Sequence, residues 1–253
     1  MTLVELKNVD FGYTEAPVVR GLNLAVQRGE IVSIMGPSGC GKSTVLRLIA
    51  GLERPTGGSC IFCGRSLERP QRVLRLLRFS FQDYDAFPWR TVRQNLLLGG
   101  ASEHESPSAF AVDDLLEKIG LAGHERKYPA ELSGGMRKRL ALGRSLAGKP
   151  LIVLLDEPFS SLDTDARHEM YDLLQTLWAE WHCLIIIVTH DTHEAILLSH
   201  RVIISERLPF RIKGEVDISL EHPRKESVST SEAYQTAAHR IRELLRINAG
   251  DHR

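Results

Sequence analysis

Three short apolar runs stand out along the chain: Ile31-Val32-Ser33-Ile34-Met35, Leu151-Ile152-Val153-Leu154-Leu155 and Leu184-Ile185-Ile186-Ile187-Val188. Runs of this length, rich in large aliphatic side chains, predict strands buried on both faces, as in parallel sheets. Residues 3–9 and 18–26 alternate in part and predict strands joined by a turn between Gly12 and Pro17. Pro55 to Ser59 reads as a turn, Cys60 to Cys63 as a short strand, and Leu77 to Gln82 as a strand ending in a polar residue. Helical spacing appears at Val45, Leu46, Leu48 and Ile49 before Gly51, and over residues 69–77, where Arg69, Arg72 and Arg75 form a solvated face. It resumes over 91–98 with Thr91 as N-cap, over 111–119 before Gly120, and from Ser133 to about Gly148. Between these lie an irregular aromatic stretch, Asp83 to Trp89, and a polar loop, Gly99 to Pro107. The middle third is thus helical while strands dominate either side, which predicts a helical insertion in an α/β core.

The stretch Gly36-Pro37-Ser38-Gly39-Cys40-Gly41-Lys42-Ser43-Thr44 fits the phosphate loop G-x-x-x-x-G-K-[ST], and it lies between a predicted strand and a predicted helix. In that context successive backbone N–H groups and the helix dipole form an anion cradle. Glycines at 36, 39 and 41 are expected to supply positive φ and close approach to phosphate oxygens. Lys42 is placed to reach the β- and γ-phosphates and the Ser43 hydroxyl to ligate Mg²⁺.

Leu132-Ser133-Gly134-Gly135-Met136 offers a second helix N-terminus whose N–H groups are open to a ligand, with Ser133 as N-cap. Just downstream, an apolar strand ends in Asp156-Glu157, and parallel strands deliver functional groups at their carboxyl ends. Asp156 is expected to hold the Mg²⁺ hydration shell and Glu157 to take the proton of the attacking water. The strand at 184–188 ends in Thr189-His190-Asp191, so His190 emerges at the same sheet edge, placed to contact a γ-phosphate. His193 and His200 read as surface or packing residues. Tyr13, taken alone, reads as packing. Cys60 and Cys63 have metal-like spacing, but residues three apart on a strand face opposite ways and no second pair accompanies them.

Composition narrows the class. At 253 residues the chain can bury a substantial core, and a formal net charge of zero gives no field for nucleic acid or anionic lipid. Four cysteines without a secretory signal point to a reducing compartment. No apolar run approaches the ~20 residues that span a bilayer, so any membrane association is expected through a partner.

The ordered motifs resemble the ATP-binding subunits of ABC transporters over nearly all of residues 1–205. Gly36 to Thr44 is similar to Walker A, Leu132 to Met136 to the signature motif and Leu151 to Glu157 to Walker B. The resemblance adds Tyr13 as the adenine-stacking aromatic, Gln82 as the Q-loop glutamine that senses γ-phosphate and Mg²⁺, Ser161-Leu162-Asp163 as the D-loop and His190 as the switch histidine. It implies an α/β P-loop NTPase fold with an ATP-binding core over 1–82 and 149–220, including an antiparallel β-subdomain. A helical signature subdomain over 83–148 and a short helical tail over 221–253 follow, the tail carrying Tyr234, Ala238, Ile241, Leu244 and Leu245 on one packed face. It also implies a head-to-tail dimer in which Ser133 and Gly135 complete the ATP site of the other chain. A membrane permease contacted through residues 83–95, an indirect solute-binding protein and a place at the cytoplasmic face of the inner membrane go with it. Phe87-Pro88-Trp89 resembles the group serving nitrate, sulfonate and taurine import. Lys138, Gly143 and His200 depart from the family pattern, which commonly has glutamine, alanine and aspartate there. Two other readings remain: a soluble ABC ATPase driving a non-transport machine, whose paired units or basic arms are not seen, and a P-loop kinase, which leaves Ser133 to Met136 unexplained.

Overall fold

The computed structural model describes residues 1–66, 76–80, 86–100, 109–160 and 162–246. The predicted helix over 69–77 therefore falls mostly outside the described residues, as do most of the 99–107 loop and Gln82. The two N-terminal segments pair antiparallel as β1 (Thr2–Phe11) and β2 (Val19–Gln27). The chain then crosses to a second sheet as β3 (Ile31–Met35), enters α1 (Lys42–Ile49) and returns to the first sheet as β4 (Gly57–Phe62) and β5 (Arg65–Ser66). β6 (Leu77–Ser80) is followed by three helices, α2 (Val92–Gly100), α3 (Ala109–Lys118) and α4 (Gly134–Leu146). Next come β7 (Ile152–Asp156), α5 (Thr164–Trp181), β8 (Leu184–Val188), α6 (Thr192–Leu198), β9 (Arg201–Ser205), β10 (Ile212–Asp217) and α7 (Glu232–Arg246).

Strand order is β2-β1-β4-β5 in the antiparallel sheet and β10-β9-β3-β8-β7-β6 in the larger one, which is parallel except for β10. The apolar runs occupy its centre because both faces are covered. Ile152, Leu154, Ile186 and Val188 join one cluster with α1 and the antiparallel sheet; Val153, Leu155, Ile185 and Ile187 join another with the helical middle third.

The expected turn at 55–59 needs correction, since the strand begins at Gly57. Gly58 has φ +76°, and a Cβ there would stand 2.4 Å from the Lys7 carbonyl and 2.2 Å from that of Asn8. The glycines that read as a turn instead let β4 press against β1. Cys63 leaves the strand at φ +46°, while Cys60 is buried in the core.

The tail packs as expected, with Tyr234, Ala238, Ile241 and Leu244 of α7 in a cluster with α6 and β9. Its anchor was not foreseen: the fully buried Arg224 guanidinium donates to the carbonyls of Ile196 (2.5 Å), Ser199 (2.6 Å) and Leu220 (2.6 Å). Two of these acceptors lie at the C-terminal end of α6, where the helix dipole favours a cation. Burial draws the Arg224 pKa down to about 10.

Candidate active site

Register places the chemistry. In the parallel sheet Ile34 pairs with Val188, and Val188 with Asp156, so the segments after β3, β7 and β8 emerge side by side at one edge. The phosphate loop leaves β3 there and passes into α1. Gly41 (φ +104°) occupies the N-cap without a side-chain cap, and Gly39 has φ +75°. Gly36 does not adopt positive φ, contrary to expectation. Space is tight there instead, because a Cβ would stand 1.9 Å from Ser205 Oγ on β9, a hydroxyl that would have to turn away, and 3.2 Å from Ser205 Cβ and Cys40 Sγ. The same hydroxyl lies 3.1 Å from the buried Cys40 Sγ, so β9 fixes the loop from beneath. Pro37 is half-buried and Ser38 is exposed at the loop tip, while Thr44 is buried on α1.

Lys42 Nζ donates to the carbonyls of Gly36 (3.0 Å) and Pro37 (2.9 Å), which holds the ammonium over the loop. Ser43 is hydrogen-bonded to Asp156, the last residue of β7. Burial raises the Asp156 pKa, with the Glu157 charge adding to it, while the Ser43 bond and the Lys42 and Arg47 charges act against the rise. A hydroxyl and a carboxylate side by side form the hard oxygen pair that suits Mg²⁺.

Glu157 has φ +49°, and its N–H donates to the Val188 carbonyl at 2.9 Å. This unusual backbone turns its carboxylate to within 3.5 Å of His190 Nδ1. The His190 side chain is 66% exposed, so the pair opens outward. Arg167 on α5 braces the turns on both sides, donating to Asp191 Oδ2 (3.1 Å) and the Leu162 carbonyl (3.0 Å). Below them Glu194 is buried within 3.4 Å of the Tyr171 hydroxyl, and burial raises its pKa to about 8.

The other expected residues lie outside this cluster. Tyr13 is 54% exposed, edge-on to Phe11, and its hydroxyl accepts from Arg47 Nη1 at 3.2 Å, which ties it to α1. Ser133 caps α4 by accepting from Met136 N at 3.3 Å, and a Cβ at Gly134 or Gly135 would meet nothing within 4 Å among the described residues. Asp163 caps α5, accepting from Ala166 N at 2.9 Å. Gln82 and Ser161 fall outside the described residues.

The Phe-Pro-Trp step is split between a covered and an open ring. Phe87 is half-buried beneath the Arg144 guanidinium (4.7 Å to the ring centroid), whereas Trp89 is 69% exposed. The turn is organised by the fully buried Asn95. Its Oδ1 accepts from Phe87 N (2.7 Å) and its Nδ2 donates to the carbonyls of Phe87, Arg90 and Thr91. Thr91 and Gln94 form a reciprocal cap beside it.

Two of the departures from the family pattern have local reasons. His200 Nδ1 accepts from Ile31 N at 3.0 Å, a bond a carboxylate would also make. At Gly143 a Cβ would stand 2.8 Å from Ile119 Cδ1, so larger neighbours have taken the space.

Residues 19–160 match the family model described as ABC transporter. The aliphatic sulfonates import ATP-binding protein SsuB of Bacillus licheniformis is 39% identical over 91% of this chain and 88% of its own length. SsuB 2 of Pseudomonas syringae pv. tomato is 42% identical over 82% of this chain and 84% of its own. Among solved structures, cbiO1 from Clostridium perfringens, part of the cbiONQ complex, superposes with a TM-score of 0.77 at 25% identity over 98% of both chains. The ATP-binding cassette MJ0796, a dimer bound to ADP and Pi, gives 0.72 at 30% identity over 87% of this chain and all of its own.

Proposed function

This chain belongs to the ABC transporter family and is an ATPase, and we propose that it energises solute import through a separate membrane permease. The observation that carries the catalytic reading is the meeting of Lys42, the Ser43–Asp156 pair and the Glu157–His190 pair at one sheet edge. Lys42 and the loop N–H groups would hold the β- and γ-phosphates, with Tyr13 against adenine. Ser43, Asp156 and Gln82 would hold Mg²⁺, which neutralises charge building on the phosphates. Glu157 would accept the proton of the water attacking the γ-phosphorus as the bond to ADP breaks, while His190 hydrogen-bonds the γ-phosphate. Ser133, Gly135 and Asp163 would face the site of a second copy, completing it from outside.

The solute class we propose is a small sulfonate-type anion. Its support is the two SsuB relatives together with Phe87-Pro88-Trp89. The helical subdomain over 83–148 would meet the permease through 83–95, with Trp89 as the exposed anchor on a turn held by Asn95. No helix among the described residues is long and apolar enough to cross a membrane, consistent with attachment at the cytoplasmic face through the permease. A solute-binding protein would act only indirectly, and no nucleic acid is involved.

Glu157→Gln tests the reading. ATP binding should persist while hydrolysis slows by ~10²–10⁴-fold, measured as phosphate release in single turnover. Hydrolysis at the wild-type rate would assign the base elsewhere.

A further inference from the structure

Beside the His190 turn, three elements bring two imidazoles and a carboxylate to one point. His168 comes from α5, His193 from the first turn of α6, and Glu226 from the 3₁₀ turn Glu226–Thr230 that precedes α7. Glu226 Oε2 lies 2.8 Å from His193 Nε2 and 3.2 Å from His168 Nε2, and the three ligand atoms all lie within 4.8 Å of one another. In a tetrahedral zinc site, with bonds of 2.0–2.2 Å, neighbouring donors stand ~3.3 Å apart. Both carboxylate–imidazole separations are already close to that, and all three side chains are exposed enough to close the rest by small rotations.

A second observation concerns orientation. The other ring nitrogen of His193, Nδ1, is 2.7 Å from the Tyr234 hydroxyl. Metal-binding imidazoles characteristically have their far nitrogen held in this way, which fixes the ring and directs the lone pair of the near nitrogen. The backbone of His193 is itself held by Asp191 Oδ1 at 2.8 Å. Two imidazoles and one carboxylate form a donor set for zinc and its neighbours rather than for Mg²⁺ or Ca²⁺.

We propose that His168, His193 and Glu226 form a binding site for a zinc-class divalent cation, with water in the fourth position. The three residues are 25 and 33 positions apart in sequence, which is why His193 reads as a surface residue until the fold is known. The cation would clip the tail to α5 and α6, three residues beyond His190, and so add a metal-dependent hold to the one that Arg224 and the apolar face of α7 already supply.

The experiment is competition for Zn²⁺ between the purified full chain, free of nucleotide, and a chromophoric chelator. The expected result is one Zn²⁺ per chain, weakened more than ~100-fold by His168→Ala, His193→Ala or Glu226→Gln and ~10-fold by Tyr234→Phe. Zn²⁺ should raise the thermal unfolding midpoint of the wild type but not of Glu226→Gln, whose half-exposed side chain should be replaced without loss of the fold, as the midpoint without Zn²⁺ checks. Absence of a Zn²⁺ site in the wild type, or wild-type affinity retained in Glu226→Gln and in His193→Ala, would overturn the proposal and leave the cluster as ion pairs only.

Discussion

The N-termini of α1 and α4 are both glycine-rich helix starts, and they are built on opposite principles. At α1 the chain itself favours glycine: Gly36 lies close against Ser205, and Gly41 has positive φ with a Cβ that would stand 3.0 Å from the Val18 carbonyl. At α4 nothing among the described residues does so. Gly134 and Gly135 have no positive φ, and among the described residues their missing side chains would meet nothing within 4 Å. Glycine costs helix stability relative to alanine, so two of them with no such reason among the described residues point to a reason outside the chain. One cradle is complete within the fold; the other is presented outward. That difference makes a dimer with shared sites the economical reading of two anion cradles in one polypeptide.

The largest effect that would sharpen this contrast is at Gly135. Gly135→Ala should leave the isolated chain as stable as before, or up to ~1 kcal/mol more stable, because helix propensity improves. Steady-state ATPase should nevertheless fall ~10²-fold, as a misplacement near 1 Å costs at a reacting centre. An unchanged rate would mean that the open cradle has no catalytic part.

At the other helix the order of effects reverses. Gly36→Ala should destabilise the chain by ~1–3 kcal/mol through overpacking against β9. Adding Ser205→Ala should return part of the loss in a denaturant titration, since it removes the colliding hydroxyl. Additive losses in the double variant would show that Ser205 is not the obstacle.

A finer effect concerns Glu194 beneath the edge. Its pKa rises from 4.5 unfolded to about 8 folded because burial disfavours the carboxylate. The neutral carboxyl's contribution is therefore fully present below pH ~4.5 and is lost as pH rises through ~8. Glu194→Gln should flatten the pH dependence of the unfolding midpoint across that window. A midpoint that falls equally in both proteins would place the titration at another group.

Much of this was legible in the sequence, for a physical reason. Buried parallel strands and the phosphate loop impose local rules, so 31–35, 152–156 and 184–188 were found almost to the residue. Asp156, Glu157 and His190 followed from their places at strand ends. Residues that act through tertiary neighbours were not legible. Arg167 braces two turns, Asn95 holds four backbone groups and Arg224 pins the tail, and no spacing announces any of them. The positive φ expected at Gly36 is absent, and its close approach to a strand 169 positions later cannot be read from a local pattern.

Whether the start of α4 serves a neighbouring chain is decided by sedimentation of Glu157→Gln with ATP, with and without Ser133→Arg. Glu157→Gln alone should form an ATP-dependent dimer. With Ser133→Arg added, the chain should bind ATP with affinity within ~3-fold of the parent and remain a monomer, because the enclosed cradle at α1 is untouched and only the outward one is blocked. An ATP-dependent dimer of undiminished strength in the double variant, or loss of ATP binding by its monomer, would mean that the start of α4 does not serve the ATP site of a second chain.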